Sequence, residues 1–438
     1  MGGVEAGLAM LAGLLGLIVL RVPVGLAMLV TGGVAYAIVR GVDPLLFHLQ
    51  TTPFFLASTH SYAVIPLFLL MGQFATQSGM NRTLFTAARA WMGHRRGGLA
   101  LASVTGAAGF GAICGSSLAT AATMGQAAWP EMRRAGYAGS FATATLAAGG
   151  TLGILIPPSF VLVIYAILSE QLIGDMFLAA LIPGLLAVTG FAIAIRVSVW
   201  LRPSIAPLEV RADRHDRRRA LAGVWVVAAV FLVVIGGIYI GWFTPVEGAS
   251  VGAAATFSLA LARGMRWKGL MTALLATAET SAMVFLILLG ADLFSAGLAF
   301  TRLPQELGAW LPGTGAGPWL VVFLMLLFYL AAGCFMDSLS VILLTMPVFL
   351  PILLALDLGM TADDTAIWFG ILALVVIELG LITPPVGMNV YVIHGLARNV
   401  ALSDTFRGLV PFIAIELVRI GVLFAIPGLV LWLPRLGS

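Results

Sequence analysis

The sequence predicts an all-helical protein that crosses a membrane many times, built as two inverted repeats, each with a re-entrant hairpin and a discontinuous helix. Three observations predict it: the composition, the placement of the arginines, and a set of motifs that recurs once along the chain. Of the 438 residues, 61% are hydrophobic and only 10% charged, with a mean hydropathy of +1.06. A soluble domain carries about 25% charged residues, so this chain cannot clothe a water-exposed surface. Apolar stretches long enough to cross a hydrocarbon core of roughly 30 Å recur along its length. The 51 glycines suit close helix packing and broken helices in a lipid bilayer.

Full spans are predicted at 5–20, 22–39, 60–79, 138–168, 175–197, 221–240, 245–262, 270–297, 367–397 and 408–433. Two further apolar regions, 97–130 and 318–356, are broken by Gly, Ser and Pro and are too long for one simple span. The charges decide how to thread them. Arg82, Arg89, Arg95 and Arg96 precede the first region, and Arg133 and Arg134 follow it. Positive flanks belong in the cytoplasm, so this segment enters and leaves on one face as a hairpin of two half-helices. The second is flanked by Arg302, Glu306, Asp357, Asp363 and Asp364, and is predicted to dip in from outside.

The remaining charges fit the same threading. The loop 198–220, with Arg202, Arg211, Arg214, Arg217, Arg218 and Arg219, is placed in the cytoplasm, as are Arg263, Arg266, Lys268, Arg398 and Arg407. Arg40, Arg302 and Arg435 fall outside, and Arg419 within the last span. Ten full crossings then leave both termini outside. The basic pI of about 9.4 is thus explained by cytoplasmic loops, and no nucleic-acid partner is predicted. Glu5, with no basic residue before the first apolar run, argues against a cleavable signal. Cys114 and Cys334 lie inside apolar segments without ligand neighbours, which excludes a cysteine metal site or structural disulfide.

The repeat is read from matched motifs. LFLLMGQFATQSG at 67–79 matches FLILLGADLFSAG at 285–297, and AAGF at 107–110 matches AAGC at 331–334. GGTLGILIPPS at 149–159 matches ELGLITPPVGMN at 378–389, with Pro157 and Pro158 against Pro384 and Pro385. The first half begins outside and the second inside, so the repeats are inverted. Consecutive prolines remove backbone donors and break the helix. The freed carbonyls and amides survive at membrane depth only inside protein or around a polar cavity. Doubled broken helices of this kind mark secondary transporters, whose sites lie near the midplane.

The domain organisation follows: scaffold helices over 1–59, a first repeat over 60–197 with hairpin 97–130 and broken helix 138–168, a connecting segment over 198–269, and a second repeat over 270–438 with hairpin 318–356 and broken helix 367–397. The first tip is placed at Cys114–Thr120, where Gly115 allows close backbone approach and Ser116, Ser117 and Thr120 offer oxygens. Gly150, Thr151 and Gly153 come from the first broken helix. The second hairpin offers Asp337, Ser338, Ser340 and Thr345, and its broken helix offers Gly380, Thr383, Gly387 and Asn389. These are hard oxygen donors beside flexible glycines, a set suited to alkali cations. Among the carboxylates Asp337 stands out, because an intramembrane carboxylate is costly and usually functional. Glu279 and Glu378 read as structural pairs within a bundle, Glu247 as solvated, and Glu416 with Arg419 as a pair one turn apart.

At these residues the chain resembles the large membrane subunit of tripartite ATP-independent periplasmic (TRAP) transporters. The resemblance rests on GSSLAT at 115–120, GTLGILIPPS at 150–159, IYIGWFTPVEGA at 238–249, GCFMDS at 333–338 and GLITPPVGMNVYV at 380–392, in that order. It implies an elevator-type, sodium-driven carrier of small organic acids in the bacterial inner membrane. It also implies two partners, a small four-helix membrane subunit and a periplasmic substrate-binding protein. Carried over by position, it implies two Na+ sites, one at Gly115, Ser116 and Ser117 with Gly150 and Gly153, the other near Asp337 and Ser338 with Gly380 and Thr383. Ser117, Thr120, Thr151, Asp337 and Asn389 are the expected substrate contacts. Cys114 departs from the family pattern, which usually has Ser there.

Two rival classes share parts of this pattern. A self-sufficient sodium- or proton-coupled anion transporter shares the doubled architecture without the partners. An intramembrane serine protease would need a base beside Ser116 or Ser117; His394, the nearest candidate, falls near the end of its span. No phosphate-cradling ATP loop is present.

Overall fold

Two helices at the centre of the molecule have no polar face, which in a helix means burial on every side. Every residue from Phe141 to Leu155, and every residue from Thr365 to Gly380, is buried. The rest of the chain is arranged around this pair in a computed structural model that describes residues 3–303, 305–306 and 317–437.

In chain order the helices are α1 (Gly3–Val19), α2 (Val24–Arg40), α3 (Val42–Ser58), α4 (Val64–Gln77), α5 (Met80–Met92), α6 (Gly98–Cys114), α7 (Ser117–Arg134), α8 (Gly139–Leu155), α9 (Phe160–Leu168) and α10 (Ile173–Leu201). Then come α11 (Arg214–Tyr239), α12 (Pro245–Ala262), α13 (Trp267–Thr301), α14 (Pro318–Gly333), α15 (Ser338–Leu354), α16 (Ala362–Gly380), α17 (Met388–Leu396), α18 (Leu402–Ala425) and α19 (Gly428–Gly437). The order hairpin, broken helix, long helix occurs twice, as α6–α10 and as α14–α18.

By length and apolarity α10, α11, α13 and α18 can each cross a membrane alone. The pairs α3 with α4, bent by 62°, and α8 with α9, bent by 43°, bring the number to six. The expected spans at 5–20 and 22–39 are helices of 17 residues each, α1 and α2. The expected broken helices 138–168 and 367–397 are split after Leu155 and after Gly380. Two helices lie where no span was expected. α3 carries Asp43, His48 and Gln50, and α5 is a short amphipathic helix.

Four of the half-helices start on a side-chain cap that satisfies an otherwise orphaned amide. Ser116 caps α7, Ser159 caps α9, Asp337 caps α15 and Thr361 caps α16. Glu247 and Thr244 form a capping box at the start of α12, so that carboxylate is not simply solvated. Glycines set the closest crossings. A Cβ at Gly32 of α2 would lie 2.6 Å from the Phe294 nitrogen of α13, so only glycine lets these helices touch backbone to backbone.

Residues threaded to one face do meet. Arg89 of α5 bonds Glu131 of α7 at 2.6 Å and Glu209 of the 202–213 loop at 2.9 Å. Arg217 donates to the Ala90 carbonyl, and Arg263 to the Ser78 carbonyl. At the other end Asp363 meets Gln171 at 3.1 Å and Asp364 meets Arg435 at 2.7 Å. The start and end of the first hairpin thus share one face.

Candidate functional site

The first tip is shorter than expected, because Ser117 to Thr120 already belong to α7. The turn itself is Gly115 and Ser116. Gly115 has φ +65°, and a Cβ there would sit 3.0 Å from the Pro158 carbonyl oxygen. The tip therefore rests directly on the break between α8 and α9. Ser116 is extended, and its Oγ accepts from the Ala119 amide at 3.4 Å. Its carbonyl oxygen lies over Gly153, whose Cβ would come within 2.5 Å of both it and Thr120 Oγ1. Gly150 is equally crowded, by Ala121 and by the Asn389 amide.

The second tip runs from Cys334 to Asp337 and rests in the same way on the break after α16. A Cβ at Gly380 would lie 2.6 Å from the Gly333 carbonyl carbon. The Gly387 amide, at φ +65°, donates to the Cys334 carbonyl at 3.2 Å. Pro157 and Pro158 are buried at their break, whereas Pro384 and Pro385 are exposed at theirs; the Pro157–Pro158 and Pro384–Pro385 peptide bonds are both cis.

The expected polar residues divide into three groups. Some are satisfied locally: Thr151 Oγ1 donates to the Ala148 carbonyl at 2.7 Å, and Thr383 Oγ1 to the Leu379 carbonyl at 2.6 Å. Asp337 belongs with them. Its carboxylate accepts from the Ser340 amide at 3.1 Å and the Ser340 hydroxyl at 2.6 Å, and it is half-buried rather than enclosed.

A second group has unspent oxygens. Thr120 and Asn389 are both fully buried at 0% exposure. Thr120 Oγ1 has no hydrogen-bond partner among the described residues. Asn389 Oδ1 has no partner among the described residues, while its Nδ2 donates to the Ala147 carbonyl at 3.4 Å. Buried polar atoms without partners cost about 1–3 kcal/mol each, so a cluster of them invites a ligand.

The third group is joined by a residue the sequence reading ranked low. Glu378, 1% exposed, accepts from Ser117 Oγ at 2.5 Å on one oxygen and from Ser338 Oγ at 2.6 Å on the other. Ser117 and Ser338 are the first helical residues after the two tips. The signal was a carboxylate in an otherwise apolar run, at the place where the matched repeat has Thr151. Glu416 and Arg419 do form a buried ion pair, and Arg419 also donates to the Pro183 carbonyl at 2.9 Å. His394 faces the Val400 carbonyl at 3.0 Å rather than either serine. A separate cavity of about 340 Å³, lined by Tyr62, Asp292, Ser295, Met346 and Pro347 among others, contains none of the expected site residues.

The chain is similar in sequence to known permeases. It is 36% identical to the C4-dicarboxylate TRAP transporter large permease protein DctM of Pseudomonas aeruginosa, covering 86% of each chain. It is 28% identical to the sialic acid TRAP transporter large permease protein SiaM of Vibrio cholerae, over 97% of each. To the ectoine TRAP transporter large permease protein TeaC of Halomonas elongata it is 30% identical, over 85% of this chain and 86% of that one. In fold it is similar to the Alcanivorax borkumensis YdaH transporter, with TM-score 0.62 at 17% identity over 88% of this chain and 89% of that one. The Neisseria gonorrhoeae MtrF structure gives TM-score 0.59 at 12% identity, over 89% and 85%. The family model of the tripartite ATP-independent periplasmic transporter DctM component matches residues 11–429, and the chain accordingly belongs to that family, as a multi-pass transport permease and not an enzyme.

Proposed function

We propose that this chain carries a small carboxylate-bearing organic solute into the cell across the bacterial inner membrane, driven by Na+. The carrying observation is convergence. Two hairpin tips rest on two helix breaks, and Glu378 and Asn389 connect the halves through buried hydrogen bonds. Helix breaks supply the amide ends that suit an anion and the carbonyls that suit a cation. The oxygen donors at the first tip fit an alkali cation, with Thr120 Oγ1 and Asn389 Oδ1 unspent beside Gly150 and Gly153. Relatives named for C4-dicarboxylate and sialic acid support a carboxylate-bearing solute.

In this reading the repeats are inverted and both termini face the periplasm. The hairpins α6–α7 and α14–α15 and the broken helices α8–α9 and α16–α17 move as a transport domain against a scaffold formed by the other helices. A small four-helix membrane subunit covers part of the scaffold, and a periplasmic binding protein delivers the solute. Each ligand raises the affinity for the other, which couples solute to ion.

The test is uptake into proteoliposomes holding the chain, its small subunit and loaded binding protein, under imposed Na+, K+ or H+ gradients. Uptake driven by Na+ alone is expected. Uptake driven equally by H+ would overturn sodium coupling, and uptake without the binding protein would favour the self-sufficient anion transporter.

A further inference from the structure

We propose that Glu378 is a positioning residue that ties the two hairpin tips together, so that they open and close as one unit. The inference rests on the reading that the tips enclose the transport site, and adds a device that the repeat itself does not contain. Three observations carry it.

First, the contacts are symmetric in place. Ser117 and Ser338 each occupy the first helical position after a tip, and each spends its hydroxyl on Glu378. Second, the side chain suits the task. A glutamate side chain ends in two oxygens held on one carbon, so it can take one hydroxyl on each side. The matched residue of the first repeat, Thr151, offers a single oxygen and bonds within its own helix. The tie is therefore built once, from the second broken helix. Third, the alternatives are expensive. All three residues are at most 2% exposed, and a polar group at such depth is costly once it loses its hydrogen-bond partners. When one tip leaves, the carboxylate loses half its donors and its fixed orientation. The other tip then loses a partner held in place, so its closure weakens too.

The protein carries its own reporters, because its two cysteines stand at the two tips. Cys114 ends α6 and Cys334 begins the second tip, and both are buried. The experiment measures the rate at which a small maleimide labels each thiol in the purified full chain, resolved by peptide mass. It needs neither transport nor cation, so failure of the sodium reading and failure of the tie are distinguishable. Ser117→Ala is expected to speed labelling of Cys334, on the opposite tip, by about fivefold or more. Ser338→Ala is expected to do the same to Cys114. In a Glu378→Leu background neither cross-effect is expected; should that variant not fold, the two serine variants alone decide. Thr143→Val removes a buried hydroxyl bonded to Thr405, and neither residue belongs to a tip. It should leave both thiols at the wild-type rate. The tie is overturned if each serine variant speeds only the thiol of its own tip, or if Thr143→Val speeds both thiols equally.

Discussion

Asn389, on the helix after the second break, donates its Nδ2 to the carbonyl of Ala147, on the helix before the first break, at 3.4 Å. This bond crosses the two halves of the chain at a fully buried point and leaves Asn389 Oδ1 without a partner among the described residues. Asn389→Ala removes both the crossing and the free oxygen. Solute uptake in proteoliposomes should fall at least about tenfold, the effect of losing roughly 1.4 kcal/mol of ligand stabilisation. The thermal midpoint should fall little, because the lost bond is a single long one. A wild-type uptake rate would show that this oxygen serves packing alone.

The tips lie against glycines that leave no room for a side chain. Gly153→Ala would bring a Cβ within 2.5 Å of Ser116 and Thr120, and Gly380→Ala would bring one within 2.6 Å of Gly333. Each should destabilise by about 1–3 kcal/mol, the usual cost of forcing atoms into a packed interior. Gly421→Ala is the control, since nothing lies within 4 Å of its added carbon. It should be neutral or slightly stabilising in a helix interior. Thermal unfolding of the three variants checks the order; equal midpoints would mean that the tips stand off the breaks.

These contacts separate what was legible in the sequence from what was not. Glycine and proline act locally, so GGTLGILIPP and ELGLITPP revealed both helix breaks, and the arginines revealed which loops assemble on one face. α3 escaped notice because Asp43, His48 and Gln50 dilute its apolar character. Its helicity draws on tertiary contacts such as His48 to Asp292 at 2.7 Å. Carboxylate roles were the least legible. Asp337 sits in a tip motif and spends itself on Ser340, three residues away. Glu378 sits in a plain apolar run and reaches Ser117, 261 positions distant. Nothing local distinguishes a carboxylate that caps its own helix from one that bridges two others.

Asp337 can be assigned by substitution, because Asn caps a helix as well as Asp does. Asp337→Asn should leave the thermal midpoint in potassium unchanged, while Asp337→Ala should cost about 1 kcal/mol. With both oxygens committed to Ser340, any stabilisation by sodium should persist in both variants. Loss of that sodium effect in Asp337→Asn, whose cap is intact, would instead assign the charge to the cation site.

The buried pair of Glu416 and Arg419 makes the opposite demand, since it is costly to break and cheap to replace. Both side chains are at most 5% exposed. Arg419 Nε donates to Glu416 Oε2 at 3.0 Å, and Arg419 also holds the Pro183 carbonyl of α10. Removing one partner strands a charge in a low-dielectric interior, so Glu416→Met or Arg419→Met should each destabilise by about 3–5 kcal/mol. Replacing both with Met removes the desolvation penalty together with the attraction, and the double variant should be more stable than either single one. Thermal midpoints of the four proteins form a double-mutant cycle whose coupling term measures the pair. A double variant no better than the worse single would show that Arg419 acts mainly through Pro183, holding α18 to α10 rather than answering Glu416.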